Sequence, residues 1–454
     1  MMRSLQPSIG ARHSEPAPGN PFKNETAPPG FPRTEHGHSP QMNAAAPILS
    51  LAIFARNEEG RIGATLDSLF KQSLLEPQMS GEGRIELWLL ANGCNDGTAE
   101  EARARLDRFR RNPLLGTHWH ASVCEWPTAG KIAAWNRFTH ELSHPGSAVL
   151  GYMDADIEIG SPNTLWNLCR VLQDNPETGA AVDEARQDFR SRFPKPLLKR
   201  VLSGTARLSR VERPQICGQL YLLRGKTARE VRFPRDLPAC EDVFLDAYLR
   251  GDFGNPTGKA ALIVRAADAH HSYQAYTRVP DILRNQKRQI IGQTVIHVLK
   301  AELSRRAPTG TPLAEEIAQR DATDPDWLKK RIREHLSRSK KLRELFPRVL
   351  LFRIHRWQRL PSLEKLVYLP ATVLGWLGTL LAAWSARRHL ATGKIHYWPD
   401  AKSRGCRPPQ NSGGRRFGLR EPLIKKPSTK TSSRWIKKWE RAEGRKGLRQ
   451  QSGG

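Results

Sequence analysis

Three short apolar runs, each closed by a polar turn, constrain this chain more than any other feature of its sequence. Ile48-Leu49-Ser50-Leu51-Ala52-Ile53-Phe54-Ala55 ends at Arg56-Asn57-Glu58-Glu59-Gly60. Apolar residues then recur at Ile62, Leu66, Leu69 and Phe70 with helical spacing. Ile85-Glu86-Leu87-Trp88-Leu89-Leu90 runs into Ala91-Asn92-Gly93-Cys94-Asn95-Asp96-Gly97, and a charged helix is predicted from Thr98. Ala148-Val149-Leu150-Gly151-Tyr152-Met153 ends at Asp154-Ala155-Asp156. Strand, turn and helix in repetition predict an α/β domain, a doubly wound and mostly parallel sheet flanked by helices. Ligands of such sheets sit outside the carboxyl ends of the strands, so the three turns fall along one edge.

Downstream, 216–223 reads as a strand, Asp236–Leu249 ends in a helix, 260–264 is a short strand and 281–305 is helical. Residues 306–340 are polar and poorly periodic. Residues 1–47 carry nine prolines and four glycines with few large apolar residues, too little burial to offset chain entropy, and read as a disordered leader. The domain expectation is therefore a leader over 1–47, an α/β domain over 48–305, a helical and membrane-associating region over 306–400, and a basic disordered tail over 401–454.

The net charge of +28 invites a nucleic-acid reading, but its placement argues otherwise. Residues 1–300 hold 38 Lys/Arg against 32 Asp/Glu, residues 301–386 hold 16 against 9, and residues 387–454 hold 19 against 4. Phosphate-backbone binders need clustered cations, and the α/β region is close to neutral. A nucleic-acid-binding protein with a non-catalytic α/β domain stays as the alternative, resting on the tail alone. Cys94, Cys124, Cys169, Cys217, Cys240 and Cys406 form no C-x-x-C pair and read as reduced thiols of a cytoplasmic protein. No apolar h-region opens the sequence.

Several groups can carry chemistry. Asp154 and Asp156 directly follow an apolar strand, where the chain can turn both carboxylates onto one hard cation such as Mg²⁺ or Mn²⁺. A solvated turn after a core strand explains them equally well. Asp324-Pro325-Asp326 repeats the pattern with no strand before it. Glu241-Asp242 precedes Val243-Phe244-Leu245, which fits simple helix capping or a general base near a hydroxyl. His270 and His271 follow a short strand and offer imidazole ligands or surface histidines. Lys131 stands at a turn-to-helix junction where it can meet an anion. Gln286 and Arg288 lie on the 281–305 helix, with cations for a diphosphate or simply a solvated basic face.

Taken in order, Asn57-Glu58, Asn92 to Asp96, Gly130-Lys131, Asp154-x-Asp156, Glu241-Asp242 and Gln286-x-Arg288 resemble the inverting glycosyltransferases of family 2, which have the GT-A fold. The resemblance covers roughly residues 48–300. It implies an enzyme that moves a sugar from a nucleotide-sugar donor, UDP-sugar first among the candidates, to a hydroxyl acceptor that is lipid-linked or a saccharide. Asn57, Glu58, Asn92, Asp96, Lys131, Asp154 and Arg288 match donor-binding positions. Asp154, Asp156 and His271 (less so His270) match the metal ligands for Mg²⁺ or Mn²⁺, and Asp242 matches the catalytic base. Many relatives carry an aspartate where this chain has Ala91-Asn92. The Q-x-x-R-W element of processive synthases is altered here to Gln286-Lys287-Arg288-Gln289, which favours a non-processive transferase. A sugar nucleotidyltransferase, with a similar layout, opens on a Gly-rich phosphate loop that this first turn lacks. The variable acceptor side falls on 183–215, where Arg186, Arg190, Arg192 and Lys195 can meet an anionic acceptor or form a solvated loop.

Residues 345–359 mix basic and bulky apolar side chains, and Leu366 to Ala386 then run 21 residues without a charge, interrupted by Pro370, Gly375 and Gly378. As a helix this stretch reaches about 31 Å at ~1.5 Å per residue, near the hydrocarbon thickness of a bilayer. A single span would carry the basic tail away from the cytoplasm, against the charge rule for translocation. The expectation is a monotopic, interfacial or re-entrant attachment to an anionic membrane surface, on the cytoplasmic face of the inner or plasma membrane. A buried helix pair packed on the α/β domain is the other reading.

Overall fold

A computed structural model describes residues 48–77, 83–113, 115, 117–188, 213–238, 240–253, 262–274, 278–304, 311–338 and 342–393. The chain divides into units 1–44 and 45–454, and every described residue lies in the second. The segments read as leader and tail, 1–47 and 401–454, lie outside the described residues.

The first half alternates strand and helix as expected: β1 (Leu49–Ala55), α1 (Ile62–Leu69), β2 (Ile85–Asn92), α2 (Thr98–Arg110), β3 (Trp119–Trp126), α3 (Lys131–Arg137) and β4 (Val149–Asp154). Then come β5 (Ile157–Ile159), α4 (Thr164–Asp174), β6 (Thr178–Asp188), β7 (Leu220–Arg224), α5 (Gly225–Arg229), α6 (Glu241–Leu249) and β8 (Leu262–Gln274). A helical half follows: α7 (Val279–Leu303), α8 (Leu313–Thr323), α9 (Trp327–Arg338), α10 (Leu342–Leu345), α11 (Pro347–Gln358) and α12 (Ser362–Ala391).

The strands form one mixed sheet in the order β3-β2-β1-β4-β7-β6-β8-β5. Strands β3, β2, β1 and β4 are parallel, while β7 runs antiparallel to both β4 and β6. The order reverses at β1, which lies between β2 and β4, and this opens a crevice at the carboxyl ends of β1 and β4. β1 is buried along its whole length, as a central parallel strand must be. Its alternate residues feed two cores: Ala52 and Phe54 join one cluster, while Leu49, Leu51, Ile53 and Ala55 join the other.

Some elements have weak sequence signals. β3 is a half-exposed edge strand, and β6 carries Asp183, Glu184, Arg186 and Gln187, so neither reads as an apolar run. β8 runs to Gln274, beyond its 260–264 expectation; its pairing with β6 shifts register between Val182 and Glu184, and Asp268 takes φ +50° in that shifted stretch. The polar 306–340 segment forms α8 and α9, which bury only a narrow stripe of Leu313, Ile317, Trp327, Leu328 and Ile332. That stripe, with Ala383, Ala386 and Leu390 of α12, joins the same core as Phe244 and Ile291, so the helical half shares its interior with the α/β domain.

Candidate active site

The tips of β1, β2 and β4 stand side by side, since Ala55 is in register with Ala91 and Phe54 with Asp154. The loop after β1 is tied to the loop after β2 by a lattice of side chain to backbone hydrogen bonds. Asn95 N donates to Asn57 Oδ1 at 2.9 Å, Glu58 N to Thr98 Oγ1 at 2.8 Å, Glu59 N to Asp96 Oδ2 at 3.2 Å and Gly97 N to Glu59 Oε2 at 3.1 Å. Asp96 Oδ1 also accepts from the Thr98 hydroxyl at 2.5 Å, so this expected donor-binding carboxylate is engaged in holding the turn. Asn57 pays for its place with a left-handed φ of +54°, uncommon for a residue other than glycine. Glu58 is buried and accepts from Arg61 at 3.5 Å. Asn92 is buried at the tip of β2, and its Nδ2 finds no hydrogen-bond partner among the described residues.

Lys131, the first residue of α3, joins the strand tips to a distant part of the chain. Its buried ammonium contacts Asp154 Oδ1 at 2.6 Å and Glu241 Oε1 at 2.6 Å, and donates to the Gly218 carbonyl at 2.9 Å. An ammonium has three hydrogens, and three acceptors surround this one. Burial alone would pull the ammonium down, but Asp154 and then Glu241 overcome it and hold Lys131 above the usual lysine range. Phe54 lies beneath, its ring centre 5.6 Å from Nζ, and stacks on Tyr152 within the Trp135–Tyr152–Tyr221 aromatic core.

Asp242 follows Glu241 at the start of α6. It is half-buried, and its Oδ1 accepts from Val243 N at 2.9 Å. Burial first, then the Glu241 charge, push its carboxyl up to about 6, against the downward pull of Arg288. Gly218 adjoins both acids: a Cβ there would lie 3.3 Å from Asp242 Cβ and 3.3 Å from Glu241 Oε1, at a backbone φ of +73°. Arg288, half-buried on α7, donates to Asn285 Oδ1 at 3.3 Å. Gln286 is directed elsewhere on α7, with its buried Oε1 3.6 Å from where a Cβ on Gly378 of α12 would sit.

Asp154 closes β4 with about a quarter of its side chain exposed, and Asp156 stands half-buried in the turn before β5. Two carboxylates two residues apart at a strand end offer oxygen donors, the set a hard divalent cation prefers, and so fit Mg²⁺ or Mn²⁺. His271 is fully buried: Nδ1 meets Asp183 Oδ2 at 2.7 Å and Nε2 meets Gln219 Oε1 at 3.2 Å. Its expected partnership with Asp154 is indirect, since the Gln219 carbonyl accepts from Asp154 N at 2.8 Å. Asp183, Cys217 and His271 present donor atoms within 4.8 Å of one another, with the Cys217 thiol pushed up to about 12 by burial. His270 is half-buried, its N donating to Thr164 Oγ1 at 3.3 Å. Exposed Arg186 pairs with Glu184 at 2.8 Å, while Arg190, Arg192 and Lys195 lie outside the described residues.

The sequence pattern singles out Asp242 but gives Glu241 beside it no separate role. Adjacent helix residues point about 100° apart, so one of an acidic pair can meet Lys131 while the other does not. Cys217, Gly218 and Gln219 fall in the 216–223 run read as a strand, but β7 begins only at Leu220, because Gly218 takes φ +73° and turns the chain out of extended geometry; Asp183 falls in the expected acceptor side and instead lies in β6.

Residues 50–222 match the family model described as glycosyl transferase family 2. The chain carries a family 2 glycosyltransferase domain. That domain spans β1 to β7 and so includes Lys131, Asp154, Asp156 and Gly218, while Glu241, Asp242, His271 and Arg288 follow it. The chain is also similar to solved structures. A mannosyltransferase from Pyrobaculum calidifontis, in complex with GDP-Man and Mn²⁺, is 18% identical with a TM-score of 0.41, over 73% of this chain and 87% of that one. TarS 1-349 from S. aureus, in complex with UDP, is 13% identical with a TM-score of 0.38, over 76% and 91%. Glucosyl-3-phosphoglycerate synthase from Mycobacterium tuberculosis, with Mn²⁺, UDP and phosphoglyceric acid, is 16% identical with a TM-score of 0.35, over 59% and 81%. At these TM-scores the family match alone carries the assignment. No curated protein sequence matches the chain.

Proposed function

We propose that this protein is an inverting, metal-assisted glycosyltransferase that moves a sugar from a nucleotide-sugar donor to a hydroxyl acceptor. One observation carries the reading: within and just beyond a family 2 domain, Asp154, Lys131, Glu241 and Gly218 converge at the strand tips, with Asp242 adjoining.

In this reading the acceptor oxygen attacks the anomeric carbon while the bond from that carbon to the donor diphosphate breaks, and the acceptor proton passes to Asp242. A carboxyl raised to about 6 is mostly ionised at neutral pH yet basic enough to take a proton. Asp154 and Asp156 would hold a divalent cation, which would supply charge stabilisation at a departing diphosphate. Arg288 adds a guanidinium on the Asp242 side. Lys131 contributes chiefly by fixing Asp154 and Glu241, because reaching a donor would cost it one of three contacts. The unpartnered Asn92 Nδ2 is the group a nucleobase carbonyl or a ribose hydroxyl would satisfy, with UDP-sugar the first donor to try. The acceptor is a saccharide or a lipid-linked hydroxyl. The reaction belongs to the cytoplasm, at a membrane face, a placement supported by the apolar helix α12 and the basic C-terminal sequence.

A thermal-shift series with nucleotides and nucleotide-sugars, with and without Mn²⁺, tests donor and metal together. The expected result is stabilisation by one nucleotide that grows with Mn²⁺ in the native chain and not in an Asp154→Asn/Asp156→Asn variant. Asp242→Asn should keep the donor shift and lose about 10²–10⁴-fold in turnover. Full turnover in that variant would remove the assigned base.

A further inference from the structure

The C-terminal helices, which support placing the proposed reaction at a membrane face, present a surface outside the candidate active site. On α12, Leu363, Leu366, Leu374, Leu377, Leu381 and Trp384 are all exposed, Leu363 to 83% and Leu366 to 73%. They are spaced by three, eight, three, four and three residues, which puts them on one face of the helix. Leu351 and Phe352 of α11 are exposed as well. Only 28% of the most apolar stretch of α12 is buried, far less than in a helix enclosed by core. The patch is far more contiguous than scattered surface leucines.

The opposite side of α12 is made of small residues. Ala371, Thr372, Thr379, Ala382, Ala383 and Ala386 are buried, and the last three join Ile290, Ile291 and Val295 of α7 in one core. Crossing a bilayer would require α12 to leave that core. At ~1.5 Å per residue its 30 residues also extend to about 45 Å, more than a hydrocarbon layer needs.

Charge frames the apolar face. Residues 347–391 carry seven Lys/Arg against one acid, Glu364, and 387–454 carry 19 against 4. Both exposed aromatic side chains have a guanidinium over the ring, Arg388 at 4.3 Å from the Trp384 centroid and Arg356 at 5.8 Å from that of Phe352. An aromatic ring capped by a cation suits the boundary between acyl chains and anionic headgroups.

We propose that α11 and α12 form an in-plane docking surface for an anionic lipid bilayer, with α12 lying along the membrane and its small-residue side remaining on α7. The occupant is lipid rather than a second copy, because the apolar stripe is bordered by cations of one sign that would repel themselves across a symmetric interface. This inference is independent of sugar transfer and stands or falls by binding alone.

The test uses the full chain with vesicles of phosphatidylcholine, and of phosphatidylcholine with phosphatidylglycerol. Flotation should recover the protein with the anionic vesicles. Leu366→Asp/Leu377→Asp/Leu381→Asp should weaken binding by about tenfold or more while leaving the melting temperature near that of the native chain, since all three side chains are exposed. Equal binding by native and variant chains would overturn the proposal. So would a dimer in light scattering that the same variant dissolves without any vesicle binding by the native chain. Environment-sensitive amino acids at 363, 373 and 381, read with lipids brominated at known depths, should report one shallow depth. A gradient with its maximum at mid-bilayer would establish a span and overturn the in-plane arrangement.

Discussion

Asp242 is a costly residue for the fold. Its folded pKa of about 6 lies above the value of about 3.9 for an unfolded aspartate. A raised carboxyl contributes stability that is present below the unfolded pKa and lost as pH rises through the folded one. Asp242→Asn should therefore stabilise the chain by about 1–2 kcal/mol at pH 7.5 and by little at pH 4, measured by denaturant unfolding at both values. Lys131→Met should do the opposite. It strands Asp154 and the buried Glu241 without their counter-charge, at about 3–5 kcal/mol, and Glu241→Gln in the same chain should recover part of the loss. At this scale the sequence could place residues at turns and strand ends but could not assign partners. Lys131 stands at a turn and Asp154 at a strand end, each readable, yet the pairing of Lys131 with Glu241 crosses about a hundred residues and depends on how α6 returns to the sheet. Asp96 is read from its position as a donor contact, and its oxygens also brace the two loops: Oδ2 accepts from Glu59 N of the loop after β1 and Oδ1 from the Thr98 hydroxyl.

At the scale of elements, strands buried on both faces were the most legible. β1 and β2 are rich in Leu and Ile and β4 is apolar up to Met153, and their ends fall within a residue or two of the expected turns. β3 and β6 were not, because exposure at an edge and polar residues facing the site dilute the pattern. The loop that carries Gly218 reads in sequence as the start of a strand, although Lys131 and Asp154 both bond to its carbonyls. Gly218→Ala would put a methyl group against Asp242 at a φ that favours glycine. About 1–2 kcal/mol of destabilisation is expected, together with a fall in turnover larger than the loss of donor affinity, checked by thermal unfolding beside steady-state kinetics.

For the whole molecule, the pH dependence of catalysis and the salt dependence of membrane binding come from separate parts of the chain. The acid limb of kcat/KM should rise through about pH 6 as Asp242 ionises, and Arg288→Gln should move that limb upward by removing a stabilising cation. Vesicle binding should weaken with salt, and deletion of 394–454 should flatten that slope while leaving the apolar contribution of α12 in place, as flotation across a sodium chloride series would report. The lopsided charge was visible from composition alone. What composition could not show was that a helix long and apolar enough to cross a bilayer is fastened along one side to α7 by alanines.

The lattice joining Asn57, Glu59, Asp96 and Thr98 has a thermodynamic consequence. These two loops brace each other with the chain's own groups, so a ligand seated on them does not have to organise them. The heat-capacity change of capture should then track the apolar area that the ligand itself hides, with no surplus from loop ordering. Cutting a single brace, as in Thr98→Val, should add that surplus and slow association, turning a ready-made cradle into one that must first be assembled.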